Sequence, residues 1–273
     1  MAFFKGSIRS QSLGMDTGLT VVLPFDRAAV PETECPAVYL LHGHGENADV
    51  WTRMTSAERY ANAYGVALVM PEVQRSFYTD MAMGLSYFSY VTKELPDACQ
   101  RLFHLSSRRE DRFVAGLSMG GYGALKLGLR CPDLFAGCAG FSGCLDMEAL
   151  RATLTQVDSG LLGEAKAIFG EDLVIKPEDN LFYLVEKTAL LPKTQLPKVM
   201  VTCGTEDFLY AHNIRFRDTI QALPYEFSYR EWPGTHEWGF WDQSLQTRWN
   251  FSFLAAGKFC RPPESTEASC YFI

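Results

Sequence analysis

The sequence predicts an α/β protein: a mostly parallel central sheet with helices on both faces, forming one domain over residues 1–257. Three observations predict it. Short runs such as "PAVYLLHG" (36–43) and "VALVMP" (66–71) are apolar throughout, as strands buried on both faces must be. Stretches of helical period alternate with these runs, which is how parallel sheets are built. Glycine or proline marks many of the junctions.

Each element follows in order. "SIRSQSLGM" (7–15) and "LTVVLP" (19–24) read as an opening antiparallel pair, and 36–43 as the first buried strand. "SAERYANAYG" (56–65) spaces Ala57, Tyr60, Ala61 and Tyr64 on one helical face, and Gly65 suits its end. A strand at 66–71 follows, then a helix over 88–103 with Pro96 as a kink or break. "DRFVAGLS" (111–118) is a strand and "GGYGALKLGLR" (120–130) a helix. Strands are expected at 135–143, 197–204 and 225–234, and helices at 213–223 and 240–257. Residues 144–196 break the rhythm, being too long for a plain crossover. Two amphipathic helices, 161–170 and 180–191, make this insertion a candidate cap whose apolar faces bury against the rim of a site. Residues 258–273 read as a frayed tail; their "CYFI" ending formally matches a prenylation box, but no polybasic stretch precedes it.

Composition excludes several function classes. The net charge is −7 and basic residues are scattered, so no footprint for nucleic acid exists. No run of 18 apolar residues is present and the N-terminus lacks an apolar leader core, so neither a membrane span nor secretion is expected. Eight cysteines without any C-x-x-C pair read as mostly reduced and buried, in keeping with a cytoplasmic protein. Homo-oligomerisation stays open.

The chemistry concentrates in "GLSMG" (116–120), a G-x-S-x-G at a strand-to-helix junction. There a serine projects above the sheet, and Gly116 and Gly120 remove side chains that would strike the neighbouring strand and helix. Ser118 needs a base held by a third group. After a serine of this kind the acid comes next in the chain and the base last. His236, in "PGTHEWGFW" after the last strand, fits the base; His212 and His104 fit helix-end and wrong-end positions. The acid falls at Glu206 or Asp207, side by side after the fifth buried strand. The amide of Met119 and that of His44, in "HGHGEN" (42–47), are the candidate oxyanion donors. A zinc site at His42 and His44 competes, but the sequence offers no third ligand cluster. Neither metal nor cofactor is expected. Trp51, Tyr78, Trp238 and Phe240 are the candidate pocket walls, with Phe77 and Trp241 nearby.

"GLSMGGYGALKL", "YLLHGHGENADVW", "RSFYTDM" and "GTEDFL…GTHEWGFW" together resemble the putative-esterase family of α/β hydrolases, nearest to the bacterial tributyrin-esterase-like enzymes. S-formylglutathione hydrolases and feruloyl esterases are relatives. The resemblance spans roughly residues 1–257. It implies an α/β-hydrolase fold, Ser118 as nucleophile, Asp207 as acid and His236 as base. It also implies a bacterial, metal-free carboxylesterase for short acyl groups, and the candidate cap over the site narrows the expected range to acetyl through butyryl. A thioester hydrolase acting on S-formylglutathione, a feruloyl esterase and a non-catalytic binding module are the competing readings. The second histidine of "HGHG" departs from the small or apolar residue expected there, which brings the His44 side chain near the pocket.

Overall fold

The computed structural model describes residues 1–24, 34–156 and 160–246. The expected tail at 258–273, with its "CYFI" ending, and the end of the helix expected at 240–257 lie outside them. Eight strands form one sheet in the order β1-β2-β4-β3-β5-β6-β7-β8. They are β1 (Ala2–Ser10), β2 (Met15–Leu23), β3 (Ala37–Leu41), β4 (Ala67–Pro71), β5 (Arg112–Leu117), β6 (Gly137–Phe141), β7 (Lys198–Gly204) and β8 (Phe227–Trp232). β2 runs antiparallel to β1 and β4, and β3 to β8 are mutually parallel. The carboxyl ends of those six strands therefore lie along one edge.

Alternation along the strands divides the core in two. Tyr39, Leu41, Val114 and Val201 face one side; Val38, Leu40, Phe113 and Met200 face the other. A period of two with both sets apolar requires a helical layer on each face. One layer holds α1 (Val50–Met54), α2 (Ala57–Tyr64) and α9 (Trp238–Gln246). The opposite layer holds α3 (Leu95–Phe103), α4 (Met119–Arg130), α7 (Leu181–Thr188) and α8 (Tyr210–Ile220). α5 (Met147–Gln156) and α6 (Leu161–Phe169) stand between β6 and α7 in the chain. No helix of the described residues is long and apolar enough to cross a membrane.

Two expectations change. The helix expected over 88–103 passes through a wide π-turn at Tyr90–Glu94, and Pro96 sits in the first turn of α3. A proline there costs little, because first-turn amides have no helical acceptor. Glu94 then reaches the β1–β2 turn and accepts from Ser10 Oγ (2.8 Å) and from the amides of Gln11 (2.7 Å) and Ser12 (3.1 Å). The second change concerns the helix expected over 180–191. It is not a cap element: α7 packs on α4 and α8, with Leu184 and Val185 in the main core. Only α5 and α6 remain to cover the sheet edge.

Behind α4 lies a fully buried cation. Lys126 Nζ pairs with Asp179 Oδ1 at 2.6 Å and donates to Thr79 Oγ1 at 2.7 Å. Burial lowers the lysine pKa, and Asp179 opposes that shift. Tyr122 adds a bond from its hydroxyl to the Asp179 carbonyl (2.7 Å), so α4 and the segment entering α7 are tied together. Removing one partner of such a pair strands the other in a dry environment. Lys126→Met is therefore expected to destabilise by roughly 3–5 kcal/mol in urea denaturation. A loss below about 1 kcal/mol would mean that water or another cation relieves Asp179.

Candidate active site

β5 ends at Leu117, Ser118 turns the chain, and α4 starts at Met119. Ser118 adopts φ 52°, ψ −117°, a conformation L-residues rarely hold. Its amide donates to the Phe141 carbonyl at 2.9 Å, fixing the turn to β6. The flanking glycines are required by close approach. A Cβ on Gly116 would lie 2.5 Å from the Gly120 carbonyl oxygen, and one on Gly120 would lie 2.5 Å from the carbonyl oxygen of Leu41 and 2.6 Å from that of His42. The turn thus presses against the end of β3, where the loop carrying His44 begins.

Three loops from the carboxyl edge meet at Ser118. His236 Nε2 lies 3.0 Å from Ser118 Oγ, and His236 Nδ1 lies 2.9 Å from Asp207 Oδ2. A carboxylate on Nδ1 requires the ring proton there, which leaves Nε2 to accept from the hydroxyl. Asp207 Oδ1 accepts the Leu209 amide at 2.8 Å. Burial pushes the Asp207 carboxyl up, but the bonds from His236 and Leu209 outweigh it and hold it below the usual aspartate range. Of the two adjacent acids, Asp207 alone meets His236. Glu206 is exposed and accepts from Thr205 Oγ1 (2.7 Å) and the Gly234 amide (2.5 Å). Phe208 and Trp241 lie against the His236 ring, with centroids 4.6 and 4.9 Å away.

A cavity of about 190 Å³ opens beside Ser118, bordered by His44 and Met119. Neither the His44 nor the Met119 amide has an acceptor among the described residues. The walls are mostly apolar: Phe77 from the loop after β4, Leu150 and Leu154 from α5, Leu161 and Ile168 from α6, and Leu209. Leu150 and Leu154 are one helical turn apart, as are Leu161 and Ala165, so both cap helices turn a side toward the cavity. Cys144 also lines it, with a thiol that burial, helped by Asp146, pushes up to about 12.

All four aromatics expected to wall the pocket lie elsewhere. Trp51 is fully buried in the core and donates from Nε1 to the Leu41 carbonyl at 3.0 Å. Tyr78 is fully buried and donates to the His42 carbonyl at 2.8 Å. Phe77 and Tyr78 both have positive φ, and it is Phe77 that reaches the cavity. Phe240 stacks on Trp232 at 4.3 Å, and Trp238 packs edge-on against Trp51 and Trp241.

The two loop histidines do not converge. His42 is buried; its Nε2 accepts the Val73 amide at 3.1 Å, so its Nδ1 donates to the Gly43 carbonyl at 2.8 Å. The His44 ring turns to Glu164 on α6. Glu164 and Phe208 both line the cavity and were not among the expected site residues. The available signal for Glu164 was a charge at i+3 from Leu161 and i−4 from Ile168, inside an apolar stripe. For Phe208 it was adjacency to the acid.

A sequence model of the family described as "Putative esterase" matches residues 10–250. An acetyl esterase of Caldicellulosiruptor saccharolyticus is 28% identical over 255 residues, covering 90% of this chain and 96% of its own. The structure of fluorophosphonate-binding serine hydrolase F of Staphylococcus aureus is similar with TM-score 0.82 and 32% identity, over 93% of this chain and 98% of that one. An S-formylglutathione hydrolase of the same organism is similar with TM-score 0.79 and 32% identity, with the same coverage.

The close approach at Gly120 is testable. Gly→Ala inside a helix ordinarily stabilises by roughly 0.5–1 kcal/mol. Gly120→Ala should reverse that sign and lower the melting temperature, because the added carbon meets backbone oxygens that cannot swing aside. A melting temperature equal to or above the wild type would contradict the contact.

Proposed function

Because this chain belongs to the putative esterase family of α/β hydrolases, we propose that it is a serine carboxylesterase that cleaves short-chain acyl esters through an acyl-enzyme. The observation that carries this reading is the hydrogen-bonded line Asp207–His236–Ser118 at the mouth of an apolar cavity.

Ser118 Oγ attacks the ester carbonyl carbon while its proton passes to His236 Nε2. The carbonyl oxygen takes the negative charge and meets the Met119 and His44 amides, which are in place before that charge develops. Asp207 holds the ring proton on Nδ1 and stabilises the imidazolium. His236 then gives its proton to the departing alkoxide, and the alcohol leaves. Water attacks the acyl-Ser118 ester by the same route, and His236 returns the proton to Ser118 Oγ as the acid is released. No metal or cofactor enters these steps. The six described cysteines are free thiols, which supports a reducing, cytoplasmic setting.

The cavity supports a short acyl group. About 150 Å³ of apolar space takes a benzene-sized molecule, so about 190 Å³ accommodates the ester carbonyl and a few carbons. α5 and α6 wall this space, so a longer chain meets them first. Across p-nitrophenyl esters, kcat/KM is expected to peak between acetyl and butyryl and to fall at least tenfold by octanoyl, for which about 1.4 kcal/mol suffices. A profile still rising at decanoyl would show that the cap does not close the pocket. Likeness to an S-formylglutathione hydrolase keeps a thioester substrate as the second reading, so S-formylglutathione belongs in the same assay.

Residue roles separate in three variants. Ser118→Ala should lower kcat by a factor on the order of 10⁶ without unfolding the protein, and a fluorophosphonate should label Ser118 alone. Asp207→Asn should cost on the order of 10⁴ in kcat, whereas Glu206→Gln should cost little. Peptide mapping of the adduct to another serine, or the reverse ranking of the two acids, would reassign the site.

A further inference from the structure

Glu164 is the one carboxylate among the described residues that line the cavity. It sits on the side of α6 that carries Leu161, Ala165 and Ile168, where a charge is costly unless paired. The pairing is built. Glu164 Oε1 lies 2.5 Å from His44 Nε2, and Glu164 Oε2 lies 2.9 Å from an Arg75 guanidinium nitrogen. Arg75 Nε also lies 2.9 Å from His44 Nε2. A nitrogen that donates to the carboxylate cannot also accept from arginine. Of the two contacts the one to Glu164 is the shorter, and with Nε2 protonated it ties the ring to α6 while Arg75 stays on the other carboxylate oxygen. The Glu164 and His44 side chains are only 21% and 28% exposed, which shields the contact from full solvent screening.

His44 also lines the cavity beside Ser118, and its amide has no acceptor among the described residues. It lies between Gly43 and Gly45, the latter with φ 79°, in a loop whose glycines give it little intrinsic stiffness. One anchor is local: Glu46 Oε2 accepts the Gly43 amide at 2.7 Å. The other comes from the cap, 120 residues further along the chain, through the His44 ring. Ring and amide are attached to one Cα, so a tether on the ring limits how far that Cα, and the amide beside it, can move.

We propose that Glu164 is a positioning residue: by accepting from the His44 ring it holds the His44 amide toward the reacting carbonyl, so the oxyanion site is complete only when α6 is seated. The proposal rests on the reading of Ser118 as nucleophile and the His44 amide as oxyanion donor. It couples pocket closure to chemistry, because the helix that walls the acyl group also orients a transition-state donor. A misplacement of about 1 Å in such a group can cost about 10²-fold in rate.

The test uses p-nitrophenyl acetate, whose acyl group is too small to need the far wall. Glu164→Ala should lower kcat at least tenfold while KM moves by less than about threefold. Glu164→Gln keeps the volume and one acceptor oxygen, and should fall between wild type and Glu164→Ala. The rate of Ser118 labelling by a fluorophosphonate should fall in the same order. His44→Phe keeps a ring and the amide but cannot donate, so it should reproduce the kcat loss. The double variant His44→Phe/Glu164→Ala should be no slower than the worse single variant, since both act through one bond. Three results would overturn the proposal: an unchanged kcat with only KM or chain-length preference altered, additive losses in the double variant, or Glu164→Gln as slow as Glu164→Ala. If Glu164→Ala melts below the assay temperature, the Glu164→Gln and His44→Phe pair decides alone. Failure of wild-type protein to label at Ser118 would instead remove the underlying esterase reading.

Discussion

No side chain fits between the turn at Ser118 and the carboxyl end of β3. Gly120 stands where a single added carbon would meet the carbonyl oxygens of Leu41 and His42, and Gly116 where one would meet Gly120 itself. The contact is backbone against backbone, so it cannot be relieved by a rotamer change. It joins two halves of the site. One half is the serine with the amide that follows it; the other is the loop at residues 43–46. Trp51 and Tyr78 hold that junction from outside, each donating to one of the two carbonyls that Gly120 approaches. Burying two large rings to satisfy two backbone oxygens ties the site to both core layers, since Trp51 belongs to one and Tyr78 to the other.

The opposite wall is built on different terms. β3 to β8 are held by ladders and a dry core, while α6 is held by loops: the Ala82 and Met83 amides donate to the Ile168 and Ala167 carbonyls (3.0 and 2.8 Å), and Glu164 meets His44 and Arg75. α7, next in sequence, is instead fixed on α4 by the Thr188 bond to the Leu129 carbonyl (2.7 Å) and the buried Lys126–Asp179 pair, and to the segment before β8 by the Tyr225 bond to the Val185 carbonyl (2.7 Å). The chain therefore leaves the sheet after β6, forms a cover seated on the loops that carry His44 and Ala82, and rejoins the main helical layer at Asp179.

The sheet and the placing of Ser118 and His236 were legible because both follow from strand ends. An apolar run that stops at glycine marks a carboxyl edge, and a serine or histidine just beyond it lies on that edge. The neighbouring acids were not separable by position alone. Asp207 turns inward because its other oxygen caps the Leu209 amide, while Glu206 folds back onto Gly234. Aromatic side chains misled for a physical reason: in a sheet covered on both faces the largest rings go where two layers meet, and Trp51, Tyr78 and Phe240 are such fillers. Glu164 escaped notice because one acid in an amphipathic helix reads as its solvent boundary. Only the fold brings His44 opposite it. The helix at 180–191 was rightly amphipathic, but periodicity says that a face is buried and not against what.

Cys144 looks into the same cavity as Ser118, and burial holds its thiol protonated up to about 12. Exchange and acyl transfer at sulfur require the thiolate. In the proposed mechanism Cys144 therefore stays a protonated thiol and does not compete with water for the acyl group on Ser118, although both residues line one cavity.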